Sequence, residues 1–246
     1  MTDRDNARGA LNASWLGSVD YSDAWDMQRE LFLARLDGDR DDMLLLLEHP
    51  HTYTLGRRAL KDDVIYNESE RRLKGISLYE VDRGGRATYH GPGQLVGYPI
   101  LKLGERYDVI SYLRKLEGVL VDTAAELGVE AVRDDEHTGV WVGNNKIGAI
   151  GVKITRGITM HGFAFNVTTD LDMFSGIVPC GITDRWVTSV EAETGVRRSV
   201  KEVGEVAAKH LAAAFDLPLV WAHPRSMRAF EPVKDRPFEG AETHLN

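Results

Sequence analysis

The chain has 246 residues, of which 43% are hydrophobic, and its formal net charge is −8. These values allow one large domain or two small ones with an ordinary buried core, and they argue against a general nucleic-acid binder, which needs a basic face. No apolar run approaches the ~18 residues of a membrane span. Polar residues 1–13 lack the apolar segment of a secretory signal and are predicted to form a disordered arm.

The first predicted elements are a helix and a short strand. Residues 21–36 carry apolar side chains at helical spacing and precede Gly38, which is typical of a helix end. The apolar run 43–47 predicts a buried strand that His49 and Pro50 end. Since His49 has only one other histidine close by and no clear third ligand, a metal site is not expected there.

The central part of the chain contains both strand and helix patterns. Residues 76–81 predict a strand that enters a glycine-rich segment, and residues 95–101 predict one that leaves it. Residues 108–127 predict a long amphipathic helix that ends at Gly128. Three β-like runs separated by short turns follow and predict an antiparallel meander, at 139–142, 146–154 and 158–167.

The last predicted helix begins at Ser199 and extends to about Phe215, and the spacing of Ser199 and Glu202 predicts a capping box. The Pro-rich, charged chain after Leu217 is expected to be a loose tail. Because helices and strands follow without regular βαβ alternation, we predict an α+β fold with a mixed or antiparallel sheet. The expected organisation is a domain over residues 14–217, an arm at 1–13 and a partly disordered extension at 218–246.

The glycine-rich segment at residues 83–94 is the most informative part of the sequence. Four glycines lie among Arg, Thr, Tyr, His and Gln, and glycine lets the backbone approach a ligand closely. The spacing matches neither the phosphate loop nor the dinucleotide-binding motif. We interpret the segment as a shaped ligand wall; the alternative is a double turn at the surface.

Cys180 is the only cysteine, which excludes an internal disulfide and fits a reducing cytoplasm. It lies between Pro179 and Gly181, where a turn is expected rather than a regular element. Such a cysteine is either a nucleophile or a small hydrophobic residue. A nucleophile needs a basic or cationic neighbour to form the thiolate. The candidate neighbours are His49, His51, His90, Lys146 and His161.

Lys146 opens a mostly apolar run that extends to Lys153 and contains glycines. A lysine at the mouth of such a strand would be desolvated and suited to proton transfer. The alternative is an exposed lysine at a strand end. For His161 the alternative is a core histidine that hydrogen-bonds to a backbone group.

These motifs together resemble the signature of the lipoyl(octanoyl) transferases. The resemblance covers roughly residues 43–194, and several motifs in one order make it specific. They are Arg83-Gly84-Gly85, Thr88 to Gln94, Tyr98-Pro99, Lys146-Ile147 with Gly151, His161-Gly162 with Asn166, Pro179-Cys180-Gly181 and Thr188-Ser189.

The resemblance implies the fold of the biotin/lipoate protein ligase catalytic domain, a mixed sheet with flanking helices. It also implies an acyltransferase that moves an octanoyl group from octanoyl-acyl carrier protein to a lysine of a lipoyl domain, the first step of endogenous protein lipoylation. The implied acceptors are lipoyl domains of 2-oxoacid dehydrogenase E2 subunits and the glycine cleavage H protein. Neither a metal nor another cofactor is implied, and no nucleic acid or membrane partner.

Residue roles follow from the same resemblance. Cys180 would carry the acyl thioester, and Lys146 would be its acid–base partner. The residues that would line the acyl pocket are Arg83, Gly84, Gly85, Arg86, Ala87, Thr88, Tyr89, His90, Ala149, Ile150, Gly151, Gly162, Phe163 and Ala164. Basic residues in or near these loops are expected to contact acidic protein partners: Arg57, Arg58, Arg83, Arg86, Lys153 and Arg156.

Three other functions compete with this interpretation. An ATP-dependent lipoate or biotin ligase on the same fold would need a nucleotide and no cysteine nucleophile. A non-catalytic acyl-chain or carrier-binding protein would form no covalent acyl-protein. A cysteine protease lacks support, because no cysteine–histidine signature surrounds Cys180.

Overall fold

The computed structural model describes residues 9–104, 106–178 and 185–227, which form two β-sheets with flanking helices. The α-helices are α1 (Tyr21–Asp37), α2 (Glu68–Leu73), α3 (Val109–Glu126), α4 (Val190–Thr194) and α5 (Val200–Phe215). The strands are β1 (Leu11–Ser18), β2 (Met43–Glu48), β3 (Thr52–Leu55), β4 (Ser77–Glu80), β5 (Ala87–His90), β6 (Gln94–Ile100), β7 (Val132–Arg133), β8 (Val140–Val142), β9 (Asn145–Thr155), β10 (Ile158–Asn166), β11 (Trp186–Val187) and β12 (Leu219–Trp221). Short 3-10 helices occupy Lys61–Asp63, Leu171–Gly176 and Pro224–Met227.

The larger sheet is mixed, as the sequence predicted. Its order is β12-β1-β2-β6-β10-β9-β8-β7, and β11 lies alongside the start of β9. Strand β1 pairs in parallel with β12 and β2, and β11 pairs in parallel with β9. The other pairs are antiparallel, and β8, β9 and β10 form the predicted meander. The smaller sheet has the order β4-β3-β5.

Two apolar layers cover the faces of the larger sheet. Along β2, Leu44 and Leu46 belong to the cluster that contains α3 and α5, whereas Leu45 and Leu47 belong to the cluster that contains α1. Successive side chains of a strand point to opposite faces, so a strand covered on both faces has a continuous apolar run. This explains why residues 43–47 are all apolar.

The predicted helices are confirmed, with one correction at a terminus. Helix α1 ends at Gly38, whose φ of 85° is the left-handed conformation that glycine adopts readily. Helix α3 begins after Asp108, whose side chain accepts a hydrogen bond from Ile110 N. The capping box predicted at Ser199 is wrong, because the Ser199 side chain makes no capping hydrogen bond at the start of α5.

The sheet also extends into both predicted terminal segments. Strand β1 begins at Leu11, so residues 11–13 are not part of an arm. Leu11 pairs with Leu219, and Met227 is buried in the cluster around α1, so the prediction of a loose tail is wrong for residues 219–227. Backbone pairing and apolar burial hold this stretch in place. Residues 1–8 and 228–246 lie outside the described part.

Among the described helices, none is long and apolar enough to span a membrane.

Candidate active site

The glycine-rich segment lies directly on strand β9. Gly84 N donates a hydrogen bond to Val152 O over 3.0 Å, and the Arg83 guanidinium donates to Thr54 O and Thr54 Oγ1 over 2.8 Å each. Residues 87–90 of the segment form β5 in the smaller sheet. The segment is therefore a wall held between two sheets, and the alternative of a double turn at the surface is wrong.

Two glycines of the larger sheet make close packing possible, Gly151 against the wall and Gly162 against the neighbouring strand. A Cβ at Gly151 would lie 3.0 Å from Arg83 Cδ and 3.1 Å from Gly84 O. A Cβ at Gly162 would lie 2.1 Å from Gly97 O on the neighbouring strand. Side chains at these two positions would push the wall and the strands apart, so glycine is required there.

A cavity lies between this wall, the middle of β9 and β10, and the start of α1; we call it the central cavity. Its lining is Tyr21, Arg83, Gly85, Arg86, Ala87, Thr88, His90, Tyr98, Ala149, Ile150, Gly151, His161, Gly162, Phe163 and Ala164. The structure thus brings together every residue expected to line an acyl pocket except Gly84 and Tyr89.

The two exceptions have clear positions. Gly84 lines a neighbouring cavity that also contains Lys146. Tyr89 is fully buried on the other side of β5, where its ring packs against Phe174 and its hydroxyl is 2.8 Å from His51 Nδ1. Tyr89 therefore belongs to the core of the smaller sheet and does not line the central cavity.

Tyr21, Tyr98 and His161 were not expected in the lining. Tyr21 is the first residue of α1, Tyr98 lies in the central strand β6, and both are buried. Sequence patterns for a helix or an apolar strand explain such residues as core. The signal that distinguishes them is their type, because a buried tyrosine brings a hydroxyl that an aliphatic residue would not.

Lys146 lies at the beginning of β9 and is 7% exposed, so the alternative of an exposed strand-end lysine is wrong. Its Nζ lies 4.6 Å from the centroid of the Trp141 ring, a cation–π distance. Lys146 lines two cavities that border the central one. One of them shares Thr88, Ala149 and Ala164 with the central cavity.

Cys180 lies outside the described residues, but both chain segments around residues 179–184 are anchored at the site. On one side, Val178 N donates to Asp63 O over 2.9 Å. The Asp63 carboxylate is paired with the guanidinium of Arg86, which lines the central cavity. On the other side, Thr188 N donates to Lys146 O over 3.0 Å.

A chain of amide hydrogen bonds connects the cavity to the same region. His90 Nδ1 lies 2.9 Å from Gln94 Oε1, so this nitrogen carries the proton, and burial lowers the pKa of His90 well below its ordinary value. Gln94 Nε2 donates to Asn166 Oδ1, and Asn166 Nδ2 donates to Thr188 O. These contacts fix the neutral His90 ring and the strand that follows residue 184.

His49 is a buried structural histidine. Its Nδ1–H donates a hydrogen bond to Val19 O over 2.6 Å, so Nε2 accepts a hydrogen bond from the Tyr98 hydroxyl over 2.8 Å. Burial lowers the pKa of His49 to about 4, which keeps the ring neutral at pH 7. The ring therefore holds Tyr98 in one orientation at the end of the cavity.

A second buried group contains His161, Asp82 and Lys153. His161 Nε2 lies 2.8 Å from Asp82 Oδ1, and Lys153 Nζ lies 2.6 Å from Asp82 Oδ2. Burial opposes ionisation of Asp82, but these two hydrogen bonds hold its pKa well below the ordinary value. Burial lowers the pKa of His161. The Nε2 atom of His161 is thus hydrogen-bonded to a carboxylate and not to the backbone group expected for a core histidine.

The expected contacts with acidic partners divide into two groups. Arg57, Arg58 and Arg156 are exposed and remain candidates. The other three are held by the fold. Arg83 and Lys153, each 7% exposed, hydrogen-bond to Thr54 and Asp82, so the prediction of a surface role is wrong for both. Arg86 is partly exposed and pairs with Asp63.

Comparisons with known proteins agree with this geometry. The model of the lipoyl protein ligase A/B catalytic domain matches residues 20–212. The octanoyltransferase of Solibacter usitatus is 48% identical over 206 residues, which cover 83% of this chain and 93% of that protein. The octanoyltransferase of Mycolicibacterium smegmatis is 44% identical over 233 residues, with coverages of 92% and 99%.

A solved structure of a bi-partite lipoate protein ligase from Thermoplasma acidophilum shares the fold. Its TM-score is 0.71 at 20% identity, over 89% of this chain and 90% of that one. The chain belongs to the lipoyl protein ligase A/B catalytic domain family, and the fold expected from the sequence is confirmed. Within the family it groups with the octanoyltransferases, as the resemblance implied, and it is an acyltransferase enzyme.

Proposed function

We propose that the chain transfers an octanoyl group from the thioester of an acyl carrier protein to a lysine of a lipoyl domain, through an acyl thioester on Cys180. The octanoyl group is the one named for the relatives. One observation carries the proposal: a buried lysine, Lys146, borders a narrow cavity, and both segments around Cys180 are anchored to that lysine and to the cavity wall.

The central cavity suits an acyl chain better than a polar substrate. Its floor consists of Ala149, Gly151, Gly162 and Ala164, which are all small and carry no polar side chain. Burial of an alkyl chain contributes about 0.8 kcal/mol per methylene, so an octanoyl chain would gain several kcal/mol. This binding energy would hold the carbonyl group at the end of the cavity near Lys146.

The first half of the reaction loads the enzyme. Lys146 as a neutral amine takes the proton of the Cys180 thiol, and the thiolate attacks the carbonyl carbon of the donor thioester. The tetrahedral intermediate collapses, the bond between the carbonyl carbon and the donor sulfur breaks, and the Lys146 ammonium returns a proton to that sulfur. The products are octanoyl-Cys180 and the free thiol of the carrier.

The second half transfers the group to nitrogen. The amine of the acceptor lysine attacks the carbonyl carbon of octanoyl-Cys180, and Lys146 takes a proton from the attacking nitrogen. The carbon–sulfur bond breaks, an amide forms, and the proton passes to the Cys180 sulfur. The Thermoplasma ligase is described together with its E2 lipoyl domain, which supports a lipoyl domain as the acceptor.

The test is intact mass spectrometry after incubation with octanoyl-acyl carrier protein, followed by a peptide map. We expect one octanoyl adduct on Cys180 that hydroxylamine removes, no adduct in Cys180→Ala, and transfer to a lipoyl domain without ATP. Full turnover by Cys180→Ala would refute the covalent route. A strict requirement for ATP would indicate a ligase, and tight acyl-chain binding without an adduct or transfer would indicate a binding protein.

A further inference from the structure

The floor of the central cavity is a strip of small residues. Strands β9 and β10 are antiparallel, and Ala149 pairs with Ala164 and Gly151 with Gly162. Residues two apart along a strand lie on the same face, so these two pairs form one continuous strip. The next residue of β9 on this face is Lys153, whose long buried side chain ends the strip.

The strip has a near end and a far end. Ala149 and Ala164 also line the cavity that contains Lys146, which defines the near end. At the opposite end, the register of β10 and β6 pairs Phe163 with Gly97 and so places Tyr98 opposite Gly162, the neighbour of His161. Tyr21 packs against His49, the hydrogen-bond partner of Tyr98, so these three lining residues of the central cavity form the far end. We call these three residues the end wall.

The strip is long enough for an acyl chain of medium length. Ala149 and Lys153 are four residues apart, which corresponds to roughly 13 Å at about 3.3 Å per residue. An extended octanoyl chain has seven C–C bonds of about 1.5 Å and spans roughly 9 Å along its zigzag axis. With its carbonyl at the near end, the chain would extend along the strip toward the end wall.

Tyr21 closes this end from the side of α1. The centroid of its ring lies 5.0 Å from that of His49, 5.2 Å from that of Tyr79 and 5.9 Å from that of His90. These contacts surround the ring, which is 2% exposed. The ring is therefore held in place by packing and forms a fixed stop.

The end wall is also polar, which discourages longer apolar chains. Tyr98 Oη is bonded to His49, and His161 Nε2 is bonded to Asp82. A longer chain would have to separate these groups from their partners or bury them against methylenes, and an unpartnered buried polar group is costly.

We infer that Tyr21 limits the acyl group to about eight carbons by closing the far end of the central cavity. Tyr21 is then a specificity-determining residue and takes no part in the chemistry. The inference rests on the proposed function, because it names the part of the site that selects the acyl donor.

The experiment compares octanoyl- and dodecanoyl-pantetheine as donors for wild type and Tyr21→Ala. Removal of the ring opens space for further methylenes, so we expect the dodecanoyl-to-octanoyl ratio of kcat/KM to rise at least ~10-fold. The control is Tyr112→Ala, a buried tyrosine of α3 in the cluster on the other face of the sheet. Its ratio should equal that of wild type. A ratio that stays unchanged in Tyr21→Ala overturns the inference.

Two further measurements keep the test decisive. If circular dichroism shows that Tyr21→Ala does not fold, Tyr21→Trp replaces it. The larger ring should lower the octanoyl-to-hexanoyl ratio of kcat/KM, and an unchanged ratio overturns the inference.

If wild type transfers no acyl group, the proposed function fails while the end wall remains testable. Calorimetric titration with octanoate and dodecanoate then measures the affinity ratio, which must rise in Tyr21→Ala; an equal ratio overturns the end wall.

Discussion

Replacement of Asp82 by asparagine removes the carboxylate that holds Lys153 and His161 behind the cavity. The side chain of Lys153 is 6% exposed and that of Asp82 19%. Loss of one member of a buried ion pair costs about 3–5 kcal/mol, and the partial exposure of Asp82 places the expected cost near the lower end, about 3 kcal/mol. Urea denaturation of wild type and Asp82→Asn measures this difference in the free energy of unfolding.

The pKa of Asp82 determines how the stability difference between wild type and Asp82→Asn changes with pH. The folded pKa of Asp82 is lowered, so it lies below the unfolded value of about 3.9. The stabilisation is fully present above that unfolded value and is lost as the pH falls through the folded pKa. The difference between wild type and Asp82→Asn should therefore be constant from pH 7 to about 5 and become smaller below about pH 4.

The matched control is the exposed pair of Arg72 and Glu68, with side chains 81% and 77% exposed. Glu68→Gln should cost less than about 1 kcal/mol, because water already screens this pair. A cost for Asp82→Asn as small as that of Glu68→Gln would refute the reasoning that the Asp82 group is a buried, stabilising ion pair.

Two further predictions concern the reaction. Lys146→Ala should lower kcat for octanoyl transfer by about 10²–10⁴-fold, and Lys146→Arg should be similarly poor because arginine keeps the charge but does not release a proton near neutral pH. Lys201→Ala is the control. Near-normal turnover of Lys146→Ala would rule out the proposed role. Arg57 and Arg58 are exposed and their amides bind the glycine-rich segment at Arg83 O and Gly85 O. Replacement of both arginines by glutamate should raise KM for an acyl carrier protein at low salt but not for a pantetheine thioester. The reason is that surface charges attract a charged protein partner and are screened beyond a Debye length of ~8 Å at physiological salt. Equal effects on both donors would contradict docking at these residues.

Sequence periodicity predicted the elements whose burial is regular. Helix α3 and the meander of β8, β9 and β10 repeat apolar residues at the period of their own geometry, so a local pattern was enough. Strands β1 and β12 were missed because their parallel pairing joins residues about 200 positions apart, at Leu11 and Leu219. No local pattern records that contact.

The prediction of the site succeeded where a local motif was present and failed where none was. Motif positions were sufficient to predict most of the glycine-rich segment and the strip on β9 and β10 around one cavity, with Lys146 in the cavities that border it. The end wall was missed because Tyr21 and Tyr98 lie at positions where burial alone explains an aromatic residue. Only the three-dimensional positions of β6 and of the start of α1 show that these two residues line a cavity.

The net charge of −8 was the least informative feature of the sequence for binding. Several cations at the site have acidic partners in the fold: Arg86 pairs with Asp63, Lys153 with Asp82, and Arg185 with Asp134. Each pair removes one positive and one negative charge and leaves the net charge unchanged, so the net charge does not show which cations a partner meets at the surface. Exposure decides which cations remain for docking, and for this reason the charge-reversal experiment is restricted to Arg57 and Arg58 beside the cavity wall.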